Sequence, residues 1–564
     1  MLTGELPANG PPVRTVPSTP KLPADYYLQN FNTLLDFVFS NYRHLLNEEE
    51  RHFYHAFNHL VTDSQRLYVR LASRSSEFIR CKSLHYPEIQ QTGKTVTNLI
   101  DSGFLSIAEA SDASEWVSIF TRADLAEVLP APLKDKQVDA SVLQAQDLFG
   151  QSPLALLMAN HTIVKTRYRA TLQCYRLLFF GNLQQDFSAF VLRDLGKRSY
   201  EPYPIDHTNL PFTSRRQIEA YLHYYHCCDV YESVKTQGTE ALVEIQRSLP
   251  LLQADDRTLS RRLAKLSNRI ARQLERCNAL DEASEIYRTT RRPPARERLA
   301  RIAHKRGNTA QAFALCQEIE ADPGDAEELM FAQQFSTRLA KTGSINYVGE
   351  TTVKPPMQRL KLEKLSLPVE LECALHYAKE GKCFYVENAL VGGMFGLATW
   401  DILFAPIAGA FFHPFQSAPA DFQESDFYSQ RESLFEKRFS QINNGLLAEL
   451  ALDNFHYKYG IANPLVSWQR LDRQLLTLAL KRISTPDWLH LFDYLCKDIR
   501  NNRSGLPDLV FFPDTGGYRF IEVKGPGDRL QKNQLRWMQH FEQGNIEYSV
   551  ALIEYSLDSA SREY

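Results

Sequence analysis

Asp508, Glu522 and Lys524 are the residues whose types and spacing suggest chemistry. They lie in LPDLVFF (506–512) and YRFIEVK (518–524), two apolar runs separated by the turn residues DTGG. That pattern predicts a strand hairpin. Side chains alternate along a strand, so Glu522 and Lys524 share a face and Val523 takes the other. A carboxylate in a buried strand needs a partner or a metal, because an unpaired buried charge is very costly. Two carboxylates on adjacent strands, Asp508 and Glu522, offer hard oxygen ligands to a divalent cation. The Val523 backbone carbonyl adds another oxygen. Lys524 is then placed to orient or activate a water and to stabilise charge on a phosphate. With one or two metal ions, such a set hydrolyses phosphodiesters. The bland alternative is a Glu–Lys surface pair on an edge strand. The helix that follows (DRLQKNQLRWMQHF, 528–541) and the strand after it (YSVALIEY, 548–555) favour the catalytic reading, and the helix offers Lys532 and Gln534 to the site.

A fuller metal site needs another acid. Glu387 opens the apolar, small-residue stretch ENALVGGMFGLATWDILF (387–404), which reads as a buried helix. Its carboxylate has the same need for a partner as Glu522, with a helix-start role as the bland alternative. Asp401, in the same stretch, reads as structural.

The rest of the chain must position these groups. At 564 residues, 44% apolar and 23% charged, it has ordinary globular composition and room for several cores. The net charge of −3 says nothing about partners. The longest apolar run, Ile402 to Phe412, contains Pro406 and is too short for a membrane span. No secretory signal is read at the start. Nine scattered cysteines without metal-type spacing predict reduced thiols and no structural zinc. TGKT (92–95) lacks the upstream glycine of a phosphate loop, and neither GxGxxG nor HExxH occurs.

Residues 1–24, with six prolines, read as a flexible leader. Apolar residues recur at helical spacing from Tyr26 to about Leu60. Arg66 to Lys82 reads as a basic helix carrying Arg70, Arg74 and Lys82, either a solvated face or a contact for a nucleic-acid backbone. Between 256 and 308 fifteen Lys and Arg face six Asp and Glu. The related stretches NALDEASEIY and NTAQAFALC begin at 278 and 308, a spacing shorter than a tetratricopeptide unit. This predicts a degenerate helical-hairpin array with a surface turned to phosphates. Residues 343–370 read as a linker with some strand, before a last domain at 371–564.

The motifs resemble a known family. GLPDLVFF followed by FIEVKGPGDRLQKNQLRWM looks like the virus-type replication-repair nuclease domain, a branch of the PD-(D/E)xK fold. ENALVGGMFGLATWDILF resembles the upstream helix of the Fanconi-associated nuclease family. YYLQNF, LYVRLASR, KSLHYPEI and LIDSGFL resemble that family's N-terminal DNA-binding region, and FTRADLAEVL (120–129) resembles weakly its SAP-type unit. The resemblance implies a multi-domain protein: an α-helical N-terminal two-thirds, with a helical DNA-binding region that contains a SAP-like unit (25–200) and a tetratricopeptide-like array (201–342), and a C-terminal α/β nuclease domain. It implies Glu387, Asp508, Glu522 and the Val523 carbonyl as metal ligands and Lys524 as the catalytic lysine. It also implies Arg500 and Arg298 as residues holding a DNA phosphate. The implied cofactor is Mg²⁺ or Mn²⁺. The implied activity is structure-specific cleavage near 5′ flaps and branches, endonucleolytic and 5′–3′ exonucleolytic, in interstrand crosslink repair. The implied partner is branched or 5′-flap double-stranded DNA. The location is cytoplasmic and nucleoid-associated, or nuclear in a eukaryote. Unlike animal members, the chain shows no Cys/His cluster before the helical region, so a ubiquitin partner is not expected. The rival readings are a helical-repeat DNA-binding adaptor with an inactive nuclease fold, and a nuclease for RNA or for specific DNA sequences.

Overall fold

The computed structural model describes residues 23–121, 124–125, 152–185, 198–251, 256–342, 345–349 and 354–555. The expected leader falls almost wholly outside them, and the SAP-like stretch 120–129 largely so. Contacts divide the chain into two compact units. One comprises the described residues before 198 together with Phe212–Leu222; the other comprises Arg198–Pro211 and the chain from His223 onward. The expected border at 200 is therefore crossed by the short segment 212–222. All nine cysteines are free thiols. Among the described residues no helix is long and apolar enough to cross a membrane.

In the N-terminal unit, helices Tyr26–Tyr42, Glu48–His59, Thr62–Ala72 and Thr92–Asp101 follow one another. Asn47 caps the second, its side chain accepting from Glu50 N–H at 2.8 Å while Glu50 accepts from Asn47 N–H at 2.8 Å. A small antiparallel sheet of order β1-β3-β2 joins β1 (Phe78–Arg80), β2 (Leu105–Ile107) and β3 (Ile163–Thr166). The expected helix from Arg66 to Lys82 is thus cut short at Ala72. The polar run Ser73–Ser76 holds no apolar side chain to continue the helical face, and Phe78–Arg80 pairs with β3 instead.

The second unit contains the array and the nuclease domain. Helices Arg257–Arg276, Leu280–Thr290, Ala295–Lys305, Thr309–Ala321 and Ala326–Thr342 form the array, each packed on the next over small apolar cores. A five-stranded mixed sheet follows, of order β4-β8-β7-β6-β5: β4 (Met357–Leu362), β5 (Gly381–Tyr385), β6 (Leu509–Pro513), β7 (Arg519–Lys524) and β8 (Tyr548–Tyr555). β4 lies inside the segment expected as a linker and forms an edge of this sheet. β6 and β7 are the expected hairpin, paired Leu509 to Ile521. Helix Val369–Tyr377 covers one face through Cys373, Ala374 and Tyr377. The opposite face packs on Trp537, Met538 and Phe541 of helix Lys532–Gln543 and on the wholly buried helix Ala389–Ala398. Burial on both faces explains why LVFF is continuously apolar rather than alternating.

Candidate active site

Register brings the carboxylates together. Tyr385 pairs with Leu509, and Leu509 with Ile521, across three neighbouring strands. One residue further along, the three strands carry Val386 and Glu387, Asp508, and Glu522. The Asp508 carbonyl accepts from the backbone N–H groups of Val386 and Glu387 at 2.8 and 2.9 Å. An Asp508 carboxylate oxygen accepts from Val523 N–H at 2.9 Å. The expected alternation holds: Val523 joins the core on one face, while Phe520 packs on the other, the face Glu522 and Lys524 share. β7 is central in the sheet, so the edge-strand surface pair is excluded.

Glu522 is 1% exposed and Lys524 8%. Lys524 Nζ lies 2.7 Å from Glu522 Oε1. Gln534 Nε2 donates to the same oxygen at 2.5 Å, and Gln534 Oε1 accepts from Gln531 N–H at 2.8 Å, closing the start of its helix. Glu522 Oε2 is buried and has no partner. Burial, then the Asp508 charge, pushes the Glu522 carboxyl up to about 7, against the pull of Lys524. Burial likewise pushes Asp508 up to about 6, opposed by the Val523 N–H and Lys524 and assisted by Glu370 and Glu387. Two carboxyls that resist ionising side by side, one with an orphaned oxygen, are what a hard cation would relieve. Asp508 and Glu522 therefore fit a divalent metal.

Glu387 departs from the expectation. It precedes the helix, which begins at Ala389, and takes a left-handed backbone with φ 45°. Its carboxylate meets the Arg470 guanidinium and accepts from the Tyr385 hydroxyl at 3.3 Å. The backbone of Glu387 is at the site, but its side chain is held by Arg470. Accordingly, among the described residues no three His, Cys, Asp or Glu side chains converge as a ready metal cage. Asp401 is bidentate with Arg438, the structural role expected of it. Sequence reasoning missed Glu370, at the start of the helix beneath the sheet, whose charge acts on both Asp508 and Glu522. Its only signal was an acid at the head of VELECALHY, inside a stretch read as linker. Arg470 gave no signal at all.

A cleft of about 730 Å³ lies between array and nuclease domain. Arg500 lines it, with Arg301, Lys532 and Arg536. Arg298 does not: its guanidinium pairs with Glu275, whereas Arg301, one turn further along the helix, lines the cleft. More broadly, many of the array's cations are matched by carboxylates. Ten of its fifteen cations form ion pairs, among them Arg261 with Asp426, Arg296 with Glu328 and Arg306 with Asp281. Several of those carboxylates come from outside the basic stretch, where composition by segment could not find them.

In the N-terminal unit Arg70 bonds Glu88 at 2.7 Å and lies 3.9 Å from the Tyr27 ring centroid, so it is internally engaged. Arg74 donates to the Tyr86 hydroxyl at 2.9 Å and lines a second cleft, of about 340 Å³, with Arg167 and Arg169. Lys82 is exposed.

A buried acid pair and lysine on the central hairpin of a mixed sheet, backed by a helix on each face, define a nuclease of the PD-(D/E)xK type. Residues 442–552 match the VRR-NUC domain, and residues 25–106 match the FAN1 HTH domain. A Fanconi-associated nuclease 1 homolog of Pseudomonas aeruginosa is 34% identical over 96% of this chain and 98% of its own. One from Arabidopsis thaliana is 24% identical over 91% of this chain and 65% of its own. The crystal structure of paFAN1 bound to 5′-flap DNA with a 2-nucleotide flap and a gap superposes with a TM-score of 0.81, at 32% identity, covering 96% of this chain and all of that one. The chain belongs to the Fanconi-associated nuclease 1 family and is a DNA nuclease. Nucleases of this family are in general metal dependent.

Proposed function

We propose that this nuclease hydrolyses phosphodiesters near the branch of 5′-flap and branched duplex DNA, as an endonuclease with 5′–3′ exonuclease activity, in the repair of interstrand crosslinks. The paFAN1 complex with 5′-flap DNA supports the substrate. The observation that carries the chemistry is Glu522: one oxygen is held by Lys524 and Gln534, and the other is buried and unpartnered beside Asp508. Asp508, Glu522 and the Val523 carbonyl would hold Mg²⁺ or Mn²⁺, with Glu387 joining only on leaving Arg470. Such a cation, when bound, neutralises the acid pair and stabilises negative charge on the phosphate. Lys524 holds a proton beside Glu522 and stabilises charge as the phosphodiester is attacked. Gln534 keeps the Glu522 carboxylate from turning. Arg500, in the cleft with Arg301, Lys532 and Arg536, holds a DNA phosphate, which fixes register without reading sequence. Arg74, Arg167, Arg169 and Lys82 offer backbone contacts on the N-terminal unit. The working place is the compartment that holds the chromosome.

The test is cleavage of end-labelled 5′-flap DNA, linear duplex and RNA with Mg²⁺ or Mn²⁺, beside Asp508→Ala and Lys524→Ala. Cleavage near the branch, lost by about 10³-fold or more in both variants while DNA binding persists, is expected. Binding without cleavage under either metal would favour the inactive adaptor.

A further inference from the structure

The segment 421–431 of the nuclease domain has three attachments that differ in kind. Its root is fixed in the nuclease core. Arg431, with a fully buried side chain, holds Asp421 through two bonds of 2.7 and 3.1 Å, and its guanidinium lies 4.2 Å from the Phe427 ring centroid. Phe422 and Phe427 are buried in the same core. Its middle lines the basic cleft through Gln423. Its next residues grip the helical array. Glu424 accepts from Lys265 at 3.0 Å and from Arg292, with Arg261 at 3.8 Å; Asp426 accepts from Arg261 at 2.6 Å, with Arg257 at 3.7 Å.

The cleft has walls from both parts: Glu297, Arg301 and Phe331 from the array, Arg500, Lys532 and Arg536 from the nuclease domain. A second tie between them is a hydrogen bond from Ala326 N–H to Asp498 at 3.1 Å. Cleft width therefore depends on how the array is held, and of these two ties the clasp at Glu424 is the one built of ion pairs. Three cations converge on one carboxylate that is only 15% exposed. Removing that charge leaves Lys265 and Arg292 without their shared carboxylate, beside an Arg261 that keeps Asp426, so the seam loses attraction and gains repulsion between the two released cations.

We infer that Glu424 is a positioning residue: the clasp it makes with Arg261, Lys265 and Arg292 holds the array at the spacing that lets the cleft grip DNA, and so sets substrate binding rather than the chemical step. The inference rests on the 5′-flap reading above. A loose seam lowers the population of the cleft geometry that binds, which raises KM in inverse proportion to that population and leaves kcat on bound substrate intact.

The test is steady-state cleavage of 5′-flap DNA by the full chain and by Glu424→Gln, Glu424→Asp and Lys265→Gln, with melting temperature recorded for each. Expected for Glu424→Gln is a rise in KM of about tenfold with kcat within about twofold, and return towards wild-type KM in Glu424→Asp. Lys265 is about half exposed, so Lys265→Gln leaves the fold intact and raises KM by about two- to threefold. A double-mutant cycle between Glu424→Gln and Lys265→Gln should be non-additive in KM. Unchanged KM in folded Glu424→Gln overturns the inference, as does a fall in kcat at constant KM. Should Glu424→Gln fail to fold, unchanged KM in Lys265→Gln overturns it. A wild-type chain that does not cut flap DNA refutes the flap reading itself, a different failure from a cutting wild type whose Glu424→Gln variant matches it.

Discussion

The end of the β6–β7 hairpin and the basic helical array treat charge in opposite ways. In the array, Arg and Lys side chains find carboxylates: Arg298 meets Glu275, Arg296 meets Glu328, and Arg261 meets Asp426. At the hairpin the charges stay in excess. Asp508 and Glu522 lie side by side, burial pushes both carboxyls up, and Glu522 Oε2 has nothing to bond. A run of cations is therefore weak evidence for a ligand, because a folded chain can neutralise it from elsewhere. An orphaned buried carboxylate oxygen beside a second buried acid is stronger evidence, because two like charges held together out of water have no internal relief.

The largest expected effect concerns stability without metal. Asp508 and Glu522 titrate near 6 and 7 in the folded chain, against ordinary values of 3.8 and 4.5. Between about pH 4 and 7 the folded chain thus binds more protons than the unfolded one, and its stability falls as pH rises through that window. The loss from pH 5 to pH 8 is on the order of 3 kcal/mol. Melting of the nuclease unit in chelator should show it, and Asp508→Asn should blunt it and raise the melting temperature at pH 8. A divalent cation should restore stability at pH 8. A metal-free melting temperature that does not fall from pH 5 to pH 8 would mean the two acids are not in excess, and the contrast with the array would collapse.

Next comes Gln534, which holds the Glu522 carboxylate from the side. Gln534→Ala should lower kcat by about 10- to 100-fold, the usual cost of losing the support of a metal-binding carboxylate, with little change in DNA affinity. Activity that recovers at high metal concentration would sharpen the assignment to Glu522 orientation.

The smallest effect separates two arginines of the same ancestry in the sequence reading. Arg500→Gln should raise KM for flap DNA by about tenfold, as for loss of a charged phosphate contact. Arg298→Gln should lower the melting temperature, by breaking its pair with Glu275, while KM moves by less than about twofold. Equal KM effects in the two variants would return the array to a DNA-facing role.

Much of the site was legible beforehand. Strand alternation alone placed Glu522 and Lys524 on one face, and the turn at DTGG made Asp508 their neighbour. YSVALIEY is a strand over the whole expected span, 548–555. Gln534, named as a candidate from its place on the following helix, bonds Glu522. Less local features were missed. The segment of β4 was read as a linker with some strand, but not as part of this sheet, because only two of its six residues, Leu360 and Leu362, are buried, as befits an edge. Glu370 and Arg470 act from elements far away in sequence, and no spacing rule links them to Asp508.

The sequence by itself determined the hairpin and its acid–acid–lysine set, because those depend on the two-residue period of a strand and on turn chemistry within some twenty residues; the fold class came from resemblance. The tertiary structure alone decided which charges remain unpaired. Pairing is a matter of distance between side chains, and the partners of Glu387, Arg298 and Glu424 lie 83, 23 and up to 163 positions away along the chain.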